Sequence, residues 1–121
     1  DAGMSVPRAP AEILGGDGHD VLSGVGVVVD NTGMDVTAYF SKGARAALAL
    51  CDKHNISVAV LTENSPSCGS SAIYDGRFSN QKINGVGVTT ALLRSNGIDV
   101  FSQHNIENAN KALLRKAFDF E

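Results

Sequence analysis

A cysteine in a loop of small polar residues is the group in this sequence best suited to chemistry. Cys68 follows Ser65, Pro66 and Ser67 and precedes Gly69. Pro66 restricts one backbone angle, and Gly69 lets another group approach the sulfur closely. Hydroxyls and free N–H groups nearby favour the thiolate, which is the form of cysteine that attacks electrophiles or binds metal. Cys68 is therefore a candidate nucleophile or metal ligand, the alternative being a loop cysteine without a role.

The remaining cysteine and the three histidines are less promising. Cys51 falls on the apolar stripe of a predicted helix, which is typical of a small core residue. His19 is predicted in a hairpin turn and His54 at a helix end, where surface roles suffice. His104 follows a predicted strand and is the one histidine to test as an acid or base, although a solvated position near a helix start explains it as well. The spacing of these residues indicates no metal site.

Two glycines, Gly85 and Gly87, precede a predicted helix that begins near Val88. Because a helix N-terminus presents free N–H groups, this segment is a candidate site for an anion or a ligand carbonyl. A tight turn into the helix accounts for the same pattern at least as well. The spacing matches neither a dinucleotide fingerprint nor a phosphate-binding loop.

The elements that position these groups are predicted from the spacing of apolar residues and from turn signals. Residues 11–29 alternate short apolar stretches with glycine-rich turns, which predicts hairpins. Within the polar stretch 62–84, residues 74–78 are predicted to form a hairpin tip. After the hairpins, the predicted order is a helix over 35–54 capped by Asp35 or Thr37 and ended by Asn55, a strand over 56–61 covered on both faces, a long loop over 62–84, a helix over 88–94, a strand over 98–101 and a final helix capped by Asn105.

A strand, a helix and a strand joined by tight turns predict a parallel pair with a right-handed crossover. Ligands of such sheets bind outside the carboxyl ends of the strands. Residues 65–69 follow the first of these strands and residues 102–104 follow the second. We therefore expect the two loops to face a common crevice.

Length and composition indicate one α/β domain spanning residues 1–121. The net charge is −3 and the ten Lys and Arg residues are scattered, so a nucleic-acid partner is not expected. No apolar run has the ~20 residues needed to cross a bilayer, so we expect no membrane partner and a cytoplasmic location. Because the chain starts at Asp1 without an initiating Met and runs into a proline-rich turn, we expect its first strand or strands to be missing.

Seven short segments together resemble the thiouracil desulfidase family, a former family of unknown function. They match in order along nearly the whole chain. The segments are Pro7-Arg8-x-Pro10-x-Glu12-Ile13, Gly15-Gly16-Asp17-Gly18, Asp35-Val36-Thr37, Ser65-Pro66-Ser67-Cys68-Gly69, Tyr74-Asp75-Gly76-x-Phe78, Gly85-x-Gly87-Val88-Thr89 and Val100-Phe101-Ser102.

This resemblance implies a Rossmann-like parallel sheet with helices on both faces, preceded here by an N-terminal β-hairpin region. It also implies a [4Fe-4S] cluster held by three cysteines, whose open iron takes the sulfur of a thiolated pyrimidine such as 2-thiouracil while water replaces it on the ring. Cys68 matches the last cluster cysteine, and Ser65 matches a polar group that acts near the substrate. The remaining expected substrate contacts are Ser67, Gly69, Arg8 and Ser102.

The family's other two cluster cysteines lie N-terminal to the matching segment. The resemblance therefore implies that this chain is a fragment without a complete cluster and is inactive alone, while the parent protein is a desulfidase. Two alternatives remain open. One is a metal-independent thiol enzyme with Cys68 as nucleophile and His104 as base. The other is a small-molecule-binding or assembly module without catalysis, with homo-oligomers formed through an open sheet edge.

Overall fold

The computed structural model describes residues 9–118 of the chain, without the side chain of Phe118. These residues form four α-helices and six strands. In chain order they are β1 (Ala11–Leu14), α1 (Gly18–Leu22), β2 (Val27–Asp30), α2 (Thr37–Lys53), β3 (Val58–Leu61), β4 (Ala72–Tyr74), β5 (Lys82–Asn84), α3 (Val88–Ser95), β6 (Asp99–Ser102) and α4 (Ile106–Phe118).

The predicted parallel pair is confirmed. β3 and β6 run parallel, with Val58 opposite Asp99 and Leu61 opposite Ser102. β6 contacts α3, while α4 lies against both strands of the pair. The fold is thus α/β, with a parallel sheet and helices packed on it, as predicted.

The core falls into two clusters of buried side chains. The first joins β1, β2, α1, α2, β4 and α3 and contains Ile13, Val21, Val28, Val36, Ala44, Ile73 and Val88. The second joins α2 and α3 to the parallel pair and contains Cys51, Leu93, Ile98 and Val100. Cys51 is therefore the core residue that the sequence predicts. The prediction that β3 is covered on both faces is wrong, because 44% of Val60 is exposed.

The N-terminal segment agrees with the prediction in part. β1 and β2 pair antiparallel, but helix α1 lies between them where the sequence predicts further hairpin structure. His19 therefore belongs to a helix, not to a hairpin turn. The Asp17 side chain accepts the N–H of His19, and the Asp20 side chain accepts the N–H of Asp17, so the two form a capping box.

The predicted long helix is confirmed as α2, with His54 at its end and Asn55 in the left-handed region at φ 54°. Its N-terminus differs from the prediction, since Val36 occupies the cap position without a side-chain hydrogen bond. Asp35 accepts the N–H of Thr37, and the Thr37 hydroxyl in turn accepts the N–H of Val28 at 2.8 Å. Thr37 therefore ties α2 to β2.

The stretch predicted as one long loop contains an antiparallel hairpin, β4 and β5, with Ile73 opposite Ile83. Its tip is the turn predicted at residues 74–78. A carboxylate oxygen of Glu12 in β1 accepts the N–H groups of Gly76 and Phe78, at 3.0 and 3.1 Å. Glu12 thus anchors the hairpin tip to the first strand.

The predicted helix and strand that follow are α3 and β6. Gly97, at φ 82°, makes the turn between them. A short 3₁₀ turn over Gln103–Asn105 then leads into α4, so Asn105 lies in that turn. Within residues 9–118, no helix has the length and apolar character to span a bilayer.

Candidate functional site

A cavity of about 580 Å³ lies between α2 and the loop that follows β3. Its volume is within the range of small-molecule sites. The walls are mainly apolar, with a few hydroxyls and one sulfur. The residues that line it are Ala9, Ala11, Asp30, Val36, Tyr39, Phe40, Gly43, Ala47, Leu61, Thr62, Ser65, Pro66, Ser67, Cys68 and Thr89.

The cysteine loop, residues 64–71, is attached to the N-terminus of α3 through its backbone. The N–H of Val88 donates to the carbonyl of Pro66 at 2.8 Å. The N–H groups of Thr89 and Thr90 both donate to the carbonyl of Ser67, at 2.8 and 3.2 Å. These are the N–H groups that a helix leaves without internal partners. The helix start does bind a carbonyl, but that carbonyl belongs to the chain itself, so an external anion or ligand is not favoured there.

Gly87 makes this close attachment possible. A methyl group at this position would stand 2.6 Å from the nitrogen of Cys68 and overlap the carbonyl group of Ser67. The Gly87 N–H also donates to the carbonyl of Gly69 at 2.9 Å. The glycine is therefore required by packing against the cysteine loop rather than by a nucleotide.

Glu63 holds the other end of the cysteine loop, and the sequence analysis did not single it out. Its carboxylate accepts the N–H groups of Asn64 and Ser70 and the hydroxyls of Ser70 and Ser71. Burial by itself raises the pKa of Glu63, but the hydrogen bonds from Ser71, Ser70 and Asn64 outweigh it and lower the pKa to about 2. Glu63 is therefore ionised at neutral pH.

Side chains inside the loop form a short hydrogen-bonded series around the sulfur. The hydroxyl oxygen of Ser65 accepts the N–H of Cys68 at 2.7 Å. The Cys68 thiol donates to the Ser67 oxygen at 3.5 Å, and the Ser67 and Thr89 hydroxyls lie 2.8 Å apart. Cys68 is partly exposed and lines the cavity. The structure thus brings together three of the predicted site residues, Ser65, Ser67 and Cys68.

The second strand-end loop does not line this cavity, so the prediction of a crevice shared by both loops is wrong. Ser102 is 1% exposed, and its hydroxyl accepts the N–H of His104 at 3.1 Å to cap the 3₁₀ turn. His104 is exposed and lies outside the cavity lining. The two loops do touch, because the Glu63 N–H donates to the Gln103 side chain at 3.0 Å.

Gly69, another predicted substrate contact, is not among the residues that line the cavity. Gly69 is buried, and a methyl group there would stand 2.8 Å from the Ile73 side chain. Its place in the motif therefore serves packing. Arg8 lies outside the described residues.

Asp30 is a cavity residue that the sequence analysis missed. It ends β2 and is 9% exposed. Its Oδ1 atom accepts the N–H and the hydroxyl of Thr32 and the N–H of Met34, at 2.9, 2.6 and 3.0 Å. These hydrogen bonds, led by that of the Thr32 hydroxyl, hold the pKa of Asp30 below its usual value. The signal for it was an Asp followed by a turn sequence, Asn31-Thr32-Gly33, at the end of an apolar run.

Comparison with known proteins places this α/β fold and its cysteine loop in one enzyme family. Residues 1–105 match the family described as 2-thiouracil desulfurase. The chain belongs to this family, which confirms the resemblance carried by the Ser-Pro-Ser-Cys-Gly segment.

Two relatives illustrate the similarity. The chain is 49% identical over 106 residues to the uncharacterized protein YbbK of Bacillus subtilis, covering 88% of this chain and 70% of that protein. The solved structure of the [4Fe-4S]-dependent thiouracil desulfidase TudS superposes with a TM-score of 0.82 at 46% identity. That match covers 93% of this chain and 68% of TudS.

Residues 9–118 do not by themselves provide the ligands of a complete iron–sulfur cluster. Clusters of this kind are held by several cysteine thiolates, and the sequence has two cysteines. Cys68 lines the cavity, whereas Cys51 is buried in the second core cluster. Among residues 9–118, no group of three or more His, Cys, Asp or Glu side chains is arranged to hold a metal ion. Of the two cysteines, Cys68 is the one that lies at the cavity.

Proposed function

We propose that this chain takes part in removing sulfur from a thiolated pyrimidine such as 2-thiouracil, by providing the substrate cavity and one thiolate, Cys68. The observation that carries the proposal is the position of Cys68 on the wall of a cavity of about 580 Å³ in a member of this family. The apolar walls and adjacent aromatic rings of Tyr39 and Phe40 suit a flat, uncharged heterocycle.

Ser65 is the proposed catalytic hydroxyl. Its oxygen accepts the Cys68 N–H, which leaves the hydroxyl proton free to be donated into the cavity. A hydroxyl held in this way can bind the substrate's ring or carry a proton to it. Ser67 has a supporting role, since its oxygen lies next to both the sulfur and the Thr89 hydroxyl.

The reaction of TudS depends on a [4Fe-4S] cluster. We propose the same dependence for the protein to which this chain belongs, with further cysteine thiolates supplied by polypeptide outside the 121 residues. On this proposal the 121-residue chain binds the pyrimidine but releases no sulfide alone. Among the described strands β3 pairs with β6 alone, so its other edge is a place at which added polypeptide or a second copy can pair.

The test uses the complete encoded protein, purified without oxygen and mixed with 2-thiouracil. Release of sulfide and uracil is expected, together with their loss in the Cys68→Ser variant. A complete protein that releases no sulfide would contradict the proposal. Size-exclusion chromatography of the 121-residue chain tests whether two copies pair at the edge of β3. A chain that is monomeric at all concentrations would exclude this pairing.

The metal-independent thiol enzyme is not favoured by the geometry. That hypothesis needs a base within hydrogen-bond reach of the nucleophile. His104 is outside the cavity that Cys68 lines, and its backbone is fixed by Ser102.

A further inference from the structure

Thr89 lines the cavity from the first turn of α3. The residue is 5% exposed, so its hydroxyl is largely cut off from water. A buried hydroxyl costs free energy unless its proton finds an acceptor. The partner that Thr89 uses therefore indicates what its hydroxyl does.

That partner is the hydroxyl oxygen of Ser67, which lies 2.8 Å from the Thr89 oxygen. Among the described residues, the Thr89 hydroxyl has no other hydrogen-bond partner. If Ser67 donated this bond, the buried proton of Thr89 would have no acceptor. The Ser67 oxygen, in contrast, can accept the Thr89 proton and still point its own proton elsewhere. Satisfying both hydroxyls therefore makes Thr89 the donor.

The Ser67 oxygen also lies 3.5 Å from the sulfur of Cys68. In the thiol form, the sulfur is the donor in this contact. As a thiolate, the sulfur has no proton and only accepts, so the contact is kept only when Ser67 turns its own proton toward the sulfur. Because Thr89 donates to the Ser67 oxygen, the Ser67 proton is free to do this.

We propose that Thr89 is a positioning residue, which holds the Ser67 hydroxyl as a hydrogen-bond donor to the Cys68 thiolate. This inference rests on the proposed function, in which Cys68 provides a thiolate, and adds a residue that acts on it through Ser67. Hydrogen bonds in such a series strengthen one another. The bond to the sulfur therefore depends on a hydroxyl in α3.

The backbone holds Ser67 against α3 independently of the two hydroxyls. The N–H of Thr89 donates to the carbonyl of Ser67 at 2.8 Å, and the N–H of Thr90 donates to the same carbonyl at 3.2 Å. Removing the Thr89 hydroxyl leaves both of these bonds in place. A variant at Thr89 therefore tests the side-chain hydrogen bond and not the attachment of the loop.

Thr89→Val removes the hydroxyl with little change in shape, and Thr89→Ser keeps it. The measurement is the rate at which iodoacetamide alkylates Cys68 in the 121-residue chain, followed by mass spectrometry of the peptide that contains it. The rate is taken near pH 10, on the plateau where it no longer rises with pH, so that it reports the reactivity of the thiolate itself. A thiolate that loses a hydrogen bond is a stronger nucleophile, so Thr89→Val should raise the plateau rate about two- to threefold. Thr89→Ser should restore the wild-type rate.

A double variant tests whether Thr89 acts through Ser67. Ser67→Ala removes the donor to the sulfur and should raise the plateau rate at least as much as Thr89→Val does. Thr89→Val added to Ser67→Ala should then change nothing further. Additive effects of the two substitutions would overturn the proposal, because Thr89 would act on the sulfur by another route.

Thr90→Val is the matched control, since Thr90 is the next residue in α3 and bonds the same loop. Its hydroxyl donates to the backbone carbonyl of Cys68 at 3.0 Å. Thr90→Val should lower the midpoint of urea denaturation without changing the plateau rate. Cys51 gives an internal check, because it is buried in the second core cluster and its faster alkylation would report opening of the fold.

The complete encoded protein gives a second readout. In Thr89→Val, kcat for release of sulfide from 2-thiouracil should fall about fivefold, while KM should change less than twofold. This pattern is expected because the substitution changes the environment of the thiolate. Thr89→Ser should have a kcat close to that of the wild type.

The outcomes separate the two proposals. If the plateau rate of Thr89→Val equals that of the wild type, or if Thr90→Val shows the same rise, the role of Thr89 is overturned while the proposed function stands. An unchanged kcat in Thr89→Val of an active complete protein overturns it too. If the complete wild type releases no sulfide, the proposed function fails, and the alkylation rates alone decide whether Thr89 acts on the sulfur.

Discussion

The loops after β3 and β6 begin with similar polar residues but differ in where those residues lie. Each starts with a hydroxyl or acidic residue at the carboxyl end of its strand. After β6, Ser102 is buried and its hydroxyl caps a 3₁₀ turn that begins at the next residue. After β3, the chain makes a longer loop that brings Ser65 and Cys68 to the cavity.

The difference shows when a polar group at a strand end is available for a ligand. Where a helix starts at once, its free N–H groups take the hydroxyl. Where a carboxylate such as Glu63 and the start of another helix hold the loop backbone, side chains of the loop such as Ser65 and Cys68 can line a cavity. Position at the edge of a sheet is therefore not enough to predict a binding residue.

The largest expected loss of stability comes from a substitution that adds a methyl group where the cysteine loop packs against the start of α3. In Gly87→Ala the added methyl group overlaps the backbone of Ser67 and Cys68, and neither can move without breaking hydrogen bonds to α3. The free energy of unfolding should fall by about 3 kcal/mol. Urea denaturation measures it.

Gly97→Ala is the comparison for that variant, since the turn at Gly97 leads into β6. Nothing lies within 4 Å of a methyl group there, and the cost comes only from the backbone at φ 82°. The loss should be about 1 kcal/mol. Equal losses in the two variants would contradict the role given to close packing at the cysteine loop.

The next effect concerns the carboxylate that holds the cysteine loop. Glu63→Gln should lower the free energy of unfolding at neutral pH by about 1 kcal/mol, since Glu63 is only partly buried. The pKa of Glu63 is about 2 in the folded chain and 4.5 ordinarily, so its stabilising charge is fully present above pH 4.5. It is lost as the pH falls from 4.5 to 2.

The difference in unfolding free energy between wild type and Glu63→Gln should therefore shrink across that range. Denaturation curves at several pH values measure this. A difference that stays constant down to pH 2 would show that the carboxylate's charge does not hold the loop.

The two serines at the strand-end loops should separate stability from binding. Ser102→Ala loses the cap of the 3₁₀ turn, at about 1 kcal/mol, and should leave binding of 2-thiouracil unchanged. Ser65→Ala loses the acceptor for the Cys68 N–H within the cavity wall and should weaken binding. If calorimetry finds weaker binding in Ser102→Ala instead, the contrast between the loops is wrong.

The smallest effect is expected at His104. It is exposed and away from the cavity, so His104→Ala should change stability by no more than about 0.5 kcal/mol. The rate at which iodoacetamide alkylates Cys68 should also be unchanged. A marked slowing would restore His104 as the base of a thiol enzyme.

The sequence predicts those elements whose apolar residues form a long, regular pattern. The stripe from Val36 to Cys51 gives α2, and the short β-branched run before Leu61 gives β3. Helix α1 has five residues and one large buried side chain, Val21. The spacing of apolar residues that marks a helix therefore cannot be recognised in it. The capping pair Asp17 and Asp20 was the available signal. β4 and β5 are hidden because each has only three residues and the two lie in a stretch that is mostly polar.

A site residue can be predicted from the sequence when its side-chain type is itself reactive. It cannot be predicted when its role depends on which residues surround it in the folded chain. Cys68 and its neighbours are recognisable from their own properties. Glu63 and Asp30 are ordinary acidic residues next to turns, and only the hydrogen bonds that converge on their carboxylates distinguish them. Gly87 is recognisable as part of the turn into α3, whereas its close contact with the Ser67 carbonyl is not predictable.

The β4–β5 hairpin has a consequence for protein engineering. Its base is closed where the N–H of Gly85 donates to the carbonyl of Ser71, and Glu12 anchors the near side of its tip. Ser79 and Asn80, beyond that anchor, are exposed. Extending a surface loop adds little entropic cost. An epitope or reporter domain inserted between Ser79 and Asn80 would therefore lengthen the chain between Cys68 and α3 without separating the two.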